Sequence, residues 1–148
     1  MSILALETMS ILRASGWFPE RKTDITSMVD FLKSKGYEID QSLIDVLSEF
    51  GGLKCKFKRP NGNKDSFYIN PEEAFGDYYD KEDFDEIEKR VGEGITAIGQ
   101  ARNENTMMFI STSGKIYGET GYCLVKFGED IYNAMNTLCL VLPGEQLE

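Results

Sequence analysis

The sequence predicts an α+β protein: a mainly antiparallel sheet of about six strands, packed with N-terminal helices and closed by a C-terminal helix. Three observations predict it. Apolar residues up to Phe50 recur at helical spacing, those from Leu53 onward alternate with a period of two, and a last helical stripe follows Gly128. Helices and strands segregated in this way argue against a repeating βαβ unit. A chain of 148 residues without a dividing linker is expected to form a single domain over 1–148.

The first helix is expected over Ser2–Ala14, which lacks Gly and Pro and carries Ala5, Met9 and Leu12 at helical spacing. Gly16-Trp17-Phe18-Pro19 breaks it. Asp24 can cap a second helix with Ile25, Met28, Val29 and Leu32 as its stripe and Gly36 as its end. Asp40 can cap a third, where Leu43, Val46, Leu47 and Phe50 precede Gly51-Gly52.

Leu53, Cys55 and Phe57 then alternate with Lys54, Lys56 and Lys58, the pattern of a half-buried strand whose lysines form the wet side. A turn centred on Asn61-Gly62 returns the chain through Asp65–Ile69 as the hairpin partner. Asn70-Pro71 has the form of a helix start, with Asn at the cap and Pro at the first position, and a second short helix is expected around Phe84, Ile87 and Val91, ending at Gly92. Strands follow over Ile95–Gln100, Thr106–Thr112, Lys115–Tyr117 and Tyr122–Phe127, most simply as a meander. Glu129 and Asp130 open the last helix, with Ile131, Ala134, Met135 and Leu138 as its buried stripe and Leu142-Pro143-Gly144 as its stop.

Composition excludes much chemistry. The chain has no histidine, which removes Ser-His-Asp triads, Cys-His pairs, imidazole bases and histidine-ligated metals. Cys55, Cys123 and Cys139 are odd in number and show no CxxC spacing, so neither a disulfide framework nor a zinc cluster is signalled, and a reducing, cytoplasmic setting is expected. No apolar run suits a membrane span or a secretory signal. The formal net charge of −9 disfavours nucleic acid and anionic membranes as partners and favours a basic protein. No cofactor or metal site is expected.

Other strings have bland readings. Ser111-Thr112-Ser113-Gly114-Lys115 lacks the leading Gly of a phosphate loop and reads as a strand-to-strand turn. Asp85 stands where a calcium loop following Asp80 would need Gly. Paired carboxylates could serve a hydrolase, but no pair is singled out, and no catalytic residue is assigned.

The unusual composition is local. Residues 71–88 hold nine carboxylates and one base, Lys81, while the rest of the chain is nearly neutral. The candidate partner-binding residues are Asp77, Tyr78, Tyr79, Asp80, Glu82, Asp83, Phe84, Asp85 and Glu86, because concentrated charge steers a basic partner and aromatic residues anchor interfaces. Two readings stand open: a binding surface, or a solvated acidic loop whose aromatics pin it to the core.

Gly16-Trp17-Phe18-Pro19-Glu20-Arg21, followed some thirty residues later by Phe50-Gly51-Gly52-Leu53, resembles the third immunity subfamily of the SUKH superfamily of bacterial immunity domains. Later features are similar too: Ile98-Gly99 as an isoleucine-glycine strand end, Gly114 to Tyr117 as a Gly-x-x-Tyr turn, and a closing amphipathic helix from Gly128 to Leu138. Glu20 departs from the pattern by standing where glycine is expected. The resemblance implies an α+β domain that neutralises a cognate toxin, of nuclease or nucleic-acid deaminase type, by stoichiometric binding without catalysis. It also implies structural roles for Gly16, Trp17, Pro19, Arg21, Phe50, Gly51, Gly52 and Leu53. In that reading Trp17 plugs the space between the first helix and the sheet, and Arg21 pairs with a carboxylate or caps helix carbonyls. The alternative function is a cytoplasmic scaffold or regulatory module that binds another protein.

Overall fold

The computed structural model describes residues 3–121 and 123–147. Its sheet is an antiparallel meander of β1 (Lys54–Lys58), β2 (Lys64–Ile69), β3 (Ile95–Ala101), β4 (Thr106–Ser111), β5 (Ile116–Glu119), β6 (Leu124–Gly128) and β7 (Glu145–Leu147), each paired with the next. The helices are α1 (Leu6–Ala14), α2 (Thr26–Ser34), α3 (Gln41–Phe50), α4 (Pro71–Phe75), α5 (Asp85–Val91) and α6 (Ile131–Cys139), and a 3-10 turn (Lys81–Phe84) leads into α5. The α+β class and the meander agree with the sequence reading.

Helix ends follow from local chemistry. The Asp40 carboxylate accepts from the Leu43 N–H at 2.9 Å, and that of Asp130 from Asn133 N–H at 2.8 Å, which starts α3 and α6. At the end of α1 the N–H of Trp17 reaches Leu12 O at 3.0 Å and that of Gly16 reaches Arg13 O at 3.1 Å. This paired closure needs the left-handed backbone that Gly16 supplies, and α2 repeats it with Tyr37 to Leu32 and Gly36 to Lys33.

Several boundaries differ from the sequence reading. The described part of the first helix begins at Leu6, its buried residues are Thr8 and Leu12, and Ser2 lies outside the described residues. The second helix begins one turn position later than Asp24 would place it. Ile25 takes the cap position, while the Asp24 carboxylate accepts from both the N–H and hydroxyl of Thr26. The fifth strand starts at Ile116 and runs to Glu119; the sixth is Leu124–Gly128, and Tyr122 lies outside the described residues.

Two differences change the architecture. The last helix stops at Cys139, before Pro143-Gly144, because Val141 adopts a left-handed conformation and the Leu142 N–H closes on Thr137 O at 2.9 Å. Leu142-Pro143-Gly144 instead carries the chain back to β6, where Glu145–Leu147 pairs as a seventh strand. Ile98-Gly99 is not a strand end either. The register shifts between Ala97 and Gly99, and a Cβ on Gly99 would lie 1.9 Å from Tyr68 O, so the glycine admits a bulge within β3 that allows β2 to approach.

At its centre the sheet is covered on both faces, as the fully buried β4 requires. Phe109 of β4 faces the acidic segment, whose Phe84 ring meets it edge-on at 5.0 Å. On the opposite face α6 packs along β6, with the Thr137 hydroxyl donating to Phe127 O at 2.7 Å and Arg102 stacked over the Phe127 ring. The acidic segment therefore forms a layer of the fold.

Candidate functional site

The acidic face is built on a buried aromatic base. Asn70 accepts from the N–H groups of Glu72 (3.0 Å) and Glu73 (3.4 Å), and Pro71 occupies the first helical position, so α4 starts as its sequence predicts. Phe75 is fully buried and makes edge contacts with Phe31, Tyr37 and Phe84 at 5.5, 5.9 and 5.6 Å. Asp83 accepts from the Asp80 N–H at 2.8 Å and so folds the 3-10 turn that drives Phe84 inward. The Glu88 carboxylate, accepting from Ile95 N–H at 3.1 Å, ties α5 to the start of β3.

Phe75 and Phe84 pin the segment to the core, whereas Tyr78 is 89% exposed and Tyr79 is 40% exposed. Tyr79 leans on Phe84, with ring centroids 5.5 Å apart. Asp77, Asp80, Glu82, Asp83, Asp85 and Glu86 are all exposed around them. Lys35 pairs with Asp80 at 3.0 Å, Lys54 with Glu73 at 3.1 Å and Lys89 with Glu86 at 3.3 Å. Asp77, Glu82 and Asp85 have no ion-pair partner among the described residues.

The segment's one base, Lys81, is half-buried, its ammonium 5.4 Å from the centroid of Tyr37. Burial pushes the Tyr37 hydroxyl up, and the carboxylates of Glu88, Glu82 and Asp85 push it further in the same direction. Among the described residues no cluster of three or more His, Cys, Asp or Glu is arranged to hold a metal ion.

The other sequence-predicted residues meet at the helix-to-strand junction. Trp17 is buried, stacked on Phe50 at 6.5 Å, with Arg13 lying over its ring. Its indole N–H donates to Glu49 Oε2 at 2.9 Å, and the Tyr132 hydroxyl donates to Glu49 Oε1. Arg21 caps the end of α3, donating from Nη1 to Glu49 O at 2.7 Å and from Nη2 to Gly51 O at 3.0 Å. Gly51 has no room for a side chain, since a Cβ would lie 2.4 Å from Leu47 O. The Gly52 N–H then reaches Ile69 O at 2.7 Å, and Leu53 O accepts from Ile69 N–H, which delivers the chain into the sheet.

Of the motif residues, Pro19 and Gly16 shape the connection, and Trp17, Arg21 and Phe50 hold it. Glu20 adopts φ +66°, the left-handed conformation that explains why glycine is expected there. Glu49 was invisible to sequence reasoning. One polar residue in the last turn of an amphipathic helix carries no signal that it accepts from two side chains distant in sequence.

This junction, followed by a meander that is covered by an acidic layer and a closing helix, makes up an α+β domain. Residues 5–141 match the family described as SUKH-3 immunity protein, so the chain belongs to that family and has an immunity protein's role. No curated protein and no solved structure matches the chain significantly. Among the described residues no helix is long and apolar enough to cross a membrane.

Proposed function

We propose that this protein neutralises a cognate toxin by direct, stoichiometric binding in the cytoplasm of the cell it protects, without a catalytic step, through the face formed by residues 77–86. The toxin presents a basic surface, as nucleases and nucleic-acid deaminases do where they hold a polyanionic substrate. One observation carries this reading: exposed Tyr78 and Tyr79 stand among the carboxylates of Asp77, Glu82 and Asp85, which have no ion-pair partner among the described residues. Charge accelerates encounter, and aromatic anchors retain the partner. An interface of roughly 1,600 Å² centred on those anchors is sufficient for tight binding.

The direct test is co-expression with the product of the adjacent gene. Restored growth together with a purified equimolar complex is expected. Restored growth without a complex would overturn direct binding.

A further inference from the structure

A second surface carries the opposite charge. Lys54, Lys56, Lys58, Arg59 and Lys64 gather on the β1–β2 hairpin of an otherwise acidic protein. β1 is the first strand of the sheet and has a neighbour on one side only.

The ladder determines which of its backbone groups are free. Ile69 N–H donates to Leu53 O at 3.0 Å, and Arg59 N–H donates to Asn63 O at 2.7 Å. Residues 53 and 59 therefore bond toward β2, and the alternation of an antiparallel pair assigns 55 and 57 to the same side. The backbone groups of Lys54, Lys56 and Lys58 point out from the sheet edge. No turn or loop hydrogen bond among the described residues takes them up.

The side chains at this edge specify what can pair there. Lys54, Lys56 and Lys58 share one exposed face, where a trough of about 420 Å³ runs among Lys56, Lys58, Lys64 and Ser66. Half-buried Phe57 lies on the other face, its ring packed edge-on against Phe67 at 6.0 Å. A strand added along β1 would set its side chains alternately beside the lysines and beside Phe57. A second copy of β1 fails this test, because it would bring lysines against lysines.

We propose that β1 accepts an extended segment of a partner protein as an eighth strand, and that this segment alternates acidic with apolar residues. The outward amides and carbonyls of Lys54, Lys56 and Lys58 supply main-chain hydrogen bonds, and Phe57 receives the apolar positions. The ammonium groups of Lys56 and Lys58 select carboxylates, while that of Lys54 is already paired with Glu73 at 3.1 Å. This site is separate from the acidic face and does not depend on the toxin-binding role of that face.

The probe is a capped synthetic heptapeptide alternating Glu and Val, added to the ¹⁵N-labelled full chain. The amide signals of Lys54, Lys56 and Lys58 are expected to shift, and their hydrogen exchange to slow by at least about tenfold at saturation. Lys56→Pro removes an outward donor without breaking a ladder bond and is expected to weaken binding by about tenfold. A triple Lys54→Gln, Lys56→Gln, Lys58→Gln variant keeps the edge and loses the charge, so it provides the same test if the proline variant fails to fold. Unperturbed edge amides would overturn the proposal. So would undiminished binding by a folded Lys56→Pro variant or by the triple variant, or equal binding of a peptide alternating Lys and Val.

Discussion

The indole N–H of Trp17 donates to Oε2 of Glu49 at 2.9 Å, joining the connection after α1 to the last turn of α3. The same carboxylate accepts from Tyr132 of α6, so one side chain ties the connection after α1 to both α3 and α6. Glu49→Ala would leave the buried indole without its acceptor and is expected to cost about 2 kcal/mol. Glu49→Gln retains one acceptor oxygen and should cost less. Urea unfolding followed by fluorescence checks both, because Trp17 is the chain's one tryptophan.

Arg21 donates to two carbonyls with two different nitrogens. A lysine can place its ammonium near one of them but cannot span both in this geometry. Arg21→Lys should therefore lower the unfolding free energy by about 1 kcal/mol and Arg21→Met by about 2 kcal/mol, measured by denaturant titration.

Glu20 is exposed and holds φ +66°. Glycine adopts this conformation without the steric cost of about 1 kcal/mol borne by other residues. Glu20→Gly is expected to preserve or raise the thermal midpoint, whereas the β-branched Glu20→Val should lower it by several degrees, on the order of 4 °C. Thermal melts followed by circular dichroism distinguish these outcomes.

Burial pushes the Cys55 thiol up to about 11, with a smaller opposing effect from Ser15, and pushes the Tyr68 hydroxyl up to about 12. Burial shifts the Cys139 thiol in the same direction. Each group binds its proton more tightly folded than unfolded, so stability is full below the unfolded value and falls as pH rises toward the folded one. Urea midpoints should be flat near neutrality and decline from about pH 9 to 11. In the native protein a thiol reagent at neutral pH should titrate Cys123 alone, since Cys55 and Cys139 are buried, and all three cysteines should react in urea.

The sequence revealed most where local chemistry decides the structure. Asp40, Asp130 and Asn70-Pro71 mark helix starts that the structure uses, and the alternation of Leu53–Lys58 gives β1 its wet lysine face. Tertiary relationships were less legible. Glu145-Gln146-Leu147 has only one apolar residue and becomes a strand because Val141 turns the chain back onto β6. The sequence places short helices and core-pinning aromatics in the acidic segment, but it does not reveal that Phe75 and Phe84 make it a layer over Phe109. That packing explains why Tyr78 and Tyr79 are presented outward on a fixed base.

The binding role of this face is tested most directly by measuring association with the cognate toxin domain, identified by co-expression, across a series of salt concentrations. The variant to compare with wild type is Asp77→Lys, Glu82→Lys, Asp85→Lys. It reverses three exposed carboxylates that have no ion-pair partner among the described residues, and it spares both Asp80, paired to Lys35, and Asp83, which folds the 3-10 turn. At low salt the variant should associate at least about tenfold more slowly than wild type, and its rate should depend less steeply on salt. Equal rates with equal salt dependence would contradict the assignment of the acidic face to toxin binding.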